Sequence, residues 1–101
     1  MKRLVAAVTA IVLAAGNTFA FTGSQYLPQA KLTPKRARQL AEKAWPGEVL
    51  SEELEEEAGG SGLRYSFIIQ QGNTKHEVGI DAKTGKLLEN SITSGEFGES
   101  Y

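Results

Sequence analysis

Apolar and polar positions change rhythm along this chain, and each change marks an element. A short continuous apolar run, Leu4 to Ala15, opens it, and a polar, irregular stretch follows from Phe21 to Lys31. From Thr33 onward, Ala37, Leu40, Ala41, Ala44 and Trp45 recur at three- and four-residue intervals, which is one face of a helix. Thr33 suits the N-cap and Pro34 the first helical position, where a missing N–H costs nothing. Pro46-Gly47 stops the helix. Because its face is mostly alanine, a sheet can approach it closely, with Trp45 supplying a large apolar body at the end.

The rhythm then shortens to two. Leu63, Tyr65, Phe67 and Ile69 alternate with Arg64, Ser66, Ile68 and Gln70, the mark of a strand. Gly72-Asn73 is a two-residue turn signal. A second strand, Thr74 to Asp81, places His76, Val78 and Ile80 on one face, and a short last strand spans Leu87 to Ile92. Between these two, Asp81 is placed to accept hydrogen bonds from backbone amides, and Gly85 to take a left-handed conformation that closes the turn. Glu48 to Ala58 is ambiguous. Its glutamates favour a helix, and Leu50, Leu54 and Ala58 recur every four residues. However, it follows a helix stop directly, Val49-Leu50 is strand-like, and Gly59-Gly60-Ser61-Gly62 is a loop able to close a hairpin.

The ends read differently. Lys2 and Arg3 precede the apolar run, and Asn17-Thr18-Phe19-Ala20 offers small residues at the positions signal peptidase reads. Residues 1–20 are therefore expected to be a cleaved export signal, since the run is shorter than the about 20 residues a membrane span needs. Residues 21–31 read as a flexible lead, 32–92 as the domain, and 93–101 as a loose acidic tail containing Phe97 and Tyr101. The expected location is periplasmic or secreted. With no cysteine in the chain, lipid attachment through cysteine and a disulfide framework are both excluded. The 11 basic residues less Lys2 and Arg3, against 12 acidic ones, leave a net charge of −3 after cleavage, with no global bias toward nucleic acid.

The helix from Thr33 to Gly47, the aromatic Tyr65 and the ending Val78-Gly79-Ile80-Asp81-Ala82-Lys83-Thr84-Gly85-Lys86-Leu87-Leu88 together resemble the PepSY domain family, over roughly Lys31 to Asn90. The resemblance makes Glu48 to Ala58 a strand. It implies an α+β fold, one N-terminal helix packed on an antiparallel β-meander of about four strands. It also implies a domain found outside the cytoplasm, known from the propeptides of secreted metallopeptidases, where it restrains or assists the peptidase. The family offers no catalytic residue to carry over.

Candidate chemistry is sparse. One histidine and no cysteine leave no cysteine nucleophile and no multi-histidine metal site. Ser66, His76 and Asp81 can be named as a triad, but Asp81 is better explained by its turn, and no nucleophile-elbow pattern surrounds a serine. His76 reads as a strand residue. Neither a catalytic role nor a cofactor is therefore assigned.

Two charged groups are candidate partner contacts. Lys35, Arg36 and Arg38 crowd the first helical turn against its dipole, with Arg38 in reach of Glu42. Glu53, Glu55 and Glu57 share one strand face, with Glu52 and Glu56 on the other. The plainest reading of these glutamates is a solvated edge strand whose charges discourage edge pairing. The resulting expectation is a non-catalytic binding or regulatory module acting in trans on a peptidase or another envelope protein, through the sheet face away from the helix or through its edge. A small-ligand or divalent-cation sensor using Glu52–Glu57 is the alternative.

Overall fold

The computed structural model describes residues 20–93. Nearly all of the segment expected to be an export signal, and most of the tail, with Phe97 and Tyr101, lie outside the described residues.

Helix α1 spans Pro34–Ala44. Thr33 caps it, its hydroxyl accepting from the Arg36 amide at 3.1 Å. Trp45 leaves the helix in an extended conformation, and Pro46 follows. Ala37 and Ala41 are fully buried, so the helix backbone lies close to the sheet.

Five strands follow the order β1-β2-β3-β4-β5 in one sheet. They are β1 (Phe21–Thr22), β2 (Glu48–Glu56), β3 (Leu63–Gln71), β4 (Thr74–Asp81) and β5 (Leu87–Ile92). The last four form the expected antiparallel meander, and the ambiguous glutamate-rich segment is β2. Strand propensity does not decide β2. Leu54 does, fully buried opposite Tyr65, a contact that an isolated amphipathic helix could not make.

The lead departs from expectation. Residues 21–31 read as irregular, yet Phe21 and Thr22 pair in parallel with Glu52 and Glu53, and Ser24–Gln29 form a 3₁₀ helix. The sheet is therefore mixed and has five strands rather than about four. The physical reason is burial. Phe21, Tyr26, Leu27 and Ala30 pack against the core beside β2. Gly23, at φ +94°, lets the chain turn so close to β2 that a Cβ there would overlap the Leu54 carbonyl.

The core lies between α1 and one face of the sheet. Leu63, Tyr65, Phe67 and Ile69 from β3, Val78 and Ile80 from β4, and Leu54 from β2 fill it. The Tyr65 hydroxyl donates to the Leu32 carbonyl at 2.8 Å, tying the start of the helical layer to the sheet. Burial pushes this hydroxyl above its usual pKa, and nearby Glu52 adds to the effect.

Candidate functional site

Strand register divides the charged residues between two faces, because residues directly opposite one another point the same way. Glu52 pairs with the core residue Phe67, whereas Glu53 pairs with Ser66 and Glu55 with Arg64. On β4, Val78 and Ile80 continue the helix-covered face, and Gly79 and Glu77 the other. Glu89 and Ser91 of β5 lie opposite Gly79 and Glu77.

The open face thus carries Glu53, Glu55, Arg64, Ser66, Ile68, Glu77 and Glu89. Among the described residues no helix or strand packs on it. The Arg64 side chain lies across Gly79, where a Cβ would sit 3.1 Å from its Nη1. Its guanidinium reaches Glu89 at 3.3 Å and the Ala58 carbonyl at 3.3 Å. The Ser66 hydroxyl donates to Glu55 at 2.7 Å. Glu77 is half-buried here, and its carboxyl lies above the usual glutamate range. Burial is the main cause, the charges of Glu89, Glu55 and Glu57 add to it, and Arg64 opposes it.

The glutamate run is therefore not a uniformly solvated edge. β2 is flanked by β3 along its length and by β1 at Glu52 and Glu53. Glu52 is 2% exposed, inside the helix-covered layer. Arg38 does not turn to Glu42. Its Nε and one terminal nitrogen both reach Glu52 Oε1 at 3.3 Å, while Oε2 is buried without a partner. Burial raises the Glu52 carboxyl, and the charge and hydrogen bonds of Arg38 pull in the opposite direction.

This pairing separates the basic candidates. Arg38 serves the interior, Arg36 Nη1 reaches Gln39 at 3.3 Å, and Lys35 is exposed on the helix. Glu53 and Glu55 stay on the open face, with Glu57 just beyond β2. The two candidate contact groups thus lie on opposite layers and form no common site. Among the described residues no group of three or more histidine, aspartate or glutamate side chains is arranged to hold a metal ion.

The triad candidates are not brought together. Ser66 lies on the open face, bonded to Glu55. His76, opposite Ile69, lies on the helix-covered face and stacks on Trp45 with ring centroids 3.6 Å apart and planes 2° from parallel. Its Nδ1 is 2.6 Å from Asn90 Oδ1. Asp81 accepts from the amides of Lys83 at 2.8 Å and Thr84 at 3.1 Å, and from the Ser61 amide at 2.6 Å and hydroxyl at 2.8 Å. Burial works against its charge, but these donors prevail and hold its pKa down at about 2. Gly85 closes the turn at φ +81°.

No sequence signal marks the burial of Glu52 or the Trp45–His76 stack, since both join residues distant in the chain. The period-two alternation of β3 does foreshadow the placement of Arg64 and Ser66 on the open face.

Among the described residues no helix is long and apolar enough to cross a membrane. A family model described as "Peptidase propeptide and YPEB domain" matches residues 31–90, from just before the helix cap into β5. No curated protein and no solved structure matches the chain. The family match covers more than half of the sequence, the helix, the meander and the Asp81–Gly85 turn among it, and the chain belongs to the PepSY family.

Proposed function

We propose that this protein is an exported, non-catalytic binding module that regulates another protein of the envelope or extracellular space, with a peptidase as the leading class of target. One observation carries the reading: α1 covers one face of the sheet, and the other face, rich in half-buried charged side chains, has no element packed on it among the described residues. Such a face on a small rigid sheet suits docking on a preformed surface. The family description, a peptidase propeptide domain, supports the choice of target class. The mechanism is steric: the module covers part of its target, or steadies it, without making or breaking a bond.

The test is capture and inhibition. The chain from Phe21 to Tyr101, immobilised and exposed to an extract of exported proteins, should retain a defined partner identified by mass spectrometry. If that partner is a peptidase, adding the purified chain should change its activity in a saturable, concentration-dependent way. A retained peptidase whose activity is the same at every concentration of the chain overturns the regulatory reading.

A divalent-cation sensor built on Glu52–Glu57 draws no support from the geometry, because register sends Glu52 to the interior and Glu53 and Glu55 to the open face.

A further inference from the structure

We propose that the open face of the sheet binds a lysine- or arginine-rich segment of a partner protein, laid over Ser66 and Gly79 between Glu53, Glu55, Glu77 and Glu89. The inference rests on the reading of this chain as a protein-binding module and names the chemistry of the bound surface.

The charge pattern is directional. Glu53, Glu55, Glu77 and Glu89 share the open face, and Glu57 adds its charge to the field at Glu77. Among the described residues two cations share that face. Arg64 is committed to Glu89 and the Ala58 carbonyl. Lys75, opposite Gln70 toward the far end of the sheet, is also engaged. The helical layer carries Lys35 and Arg36 instead. Glu77 is thus half-buried among like charges with too little compensation, and a basic side chain placed over it relieves that repulsion.

A second observation points to a peptide rather than a bare cation. Arg64 is 7% exposed, and its Nε–H is buried without an acceptor. Among the described residues the carboxylates of this face form no group arranged to hold a metal ion. A peptide segment presents both signs of complement, cationic side chains for the glutamates and backbone carbonyls toward the guanidinium layer. The rest of this chain does not fit the role at its C-terminal end: residues 94–101 include Glu96 and Glu99 and no basic residue.

The probe is a short capped peptide with lysine at alternate positions, titrated calorimetrically into the chain, with a glutamate-for-lysine peptide as control. The variant carries Glu53→Gln, Glu57→Gln and Glu77→Gln, whose carboxyl groups make no hydrogen bond or ion pair among the described residues and whose backbone bonds the substitutions leave in place, and thermal melting verifies that it folds. A second variant, Lys35→Gln with Arg36→Gln, reports on the helical layer.

The proposal expects the lysine peptide to bind the wild-type chain, several-fold more weakly at about 200 mM than at about 50 mM salt. The triple variant should raise Kd by about tenfold or more, and the helical variant should leave it unchanged. It is overturned by a lysine peptide that fails to bind, by equal affinity in the triple variant, or by equal binding of the glutamate peptide. Binding heat from calcium chloride alone that the triple variant loses would make the face a cation site. Self-association without peptide that the triple variant loses would make a second copy the occupant. Either result also overturns the proposal. A protein partner captured equally by wild type and triple variant would leave the binding-module reading intact and remove this inference alone.

Discussion

Arg38 and Glu52 join the helix to the sheet through an ion pair at 3.3 Å, in which the glutamate side chain is 1% exposed and the arginine side chain 34% exposed. Both nitrogens of the contact converge on one oxygen, and the other oxygen has no partner. Such a pair contributes little net stability compared with an apolar pair, yet removing one member leaves the other charge stranded. Arg38→Ala should therefore destabilise by about 1–3 kcal/mol, below the range for a fully buried pair because Arg38 is partly solvated. Glu52→Gln should cost less, since a neutral amide tolerates burial better. The Glu52 carboxyl is raised in the folded state, so its contribution is fully present below the unfolded pKa and is lost as pH rises through the folded value. Without Arg38 the shift grows, and Arg38→Ala should recover stability on acidification from neutral pH more than wild type does. Urea midpoints of the three chains at neutral pH and after acidification check this.

Asp81 has the opposite sign. Its pKa, held at about 2, lies below the ordinary carboxylate value of 3.8, so the stability it confers is present above 3.8 and disappears as pH falls toward 2. The difference corresponds to about 2 kcal/mol. Asp81→Asn should remove that part of the acid dependence, and Ser61→Ala should remove a smaller share, about 1 kcal/mol. Acid titrations of unfolding free energy would show it, and an unchanged acid limb in Asp81→Asn would contradict the assignment.

Two glycines should respond unequally to alanine. Gly85, at φ +81°, has only side-chain atoms of Leu40 and Leu32 at 3.3 and 3.4 Å from a built Cβ, so Gly85→Ala should cost about 1 kcal/mol. At Gly23 the obstruction is the Leu54 backbone, which cannot turn aside. Gly23→Ala should detach β1 as well as adding strain, seen as faster amide exchange at Phe21–Thr22 and along the outer side of β2.

Trp45 is the sole tryptophan and His76 the sole histidine, and they stack face to face. His76→Ala should shift Trp45 emission to longer wavelength as water reaches the ring, with a stability loss of about 1 kcal/mol. An emission spectrum identical to wild type would contradict the stack.

What the sequence discloses follows the range of the interactions involved. The helix, its Thr33 cap, the β3 alternation and the Asp81–Gly85 turn depend on neighbours within a few residues, and they are legible. Glu52 is indistinguishable by sequence from Glu53, because its burial depends on Phe67 across the sheet and on Arg38 fourteen positions away. Arg38 reads as a partner of Glu42 because intrahelical spacing is visible and helix–sheet packing is not. A two-residue parallel strand has no period to detect, so β1 is hidden in a segment that reads as irregular. For the same reason the open face becomes visible only once register assigns each glutamate to a side.

The most direct measurement of the central claim, that this chain acts by presenting the open face of its sheet to a partner, is a residue-resolved NMR titration of the chain from Phe21 to Tyr101 with the lysine peptide. The account predicts that amide shifts move together at Glu53, Ser66, Glu77 and Gly79, while those of Lys35, Arg36 and Gln39 stay in place. Shifts centred on the helix, or no saturable shift at all, would contradict it.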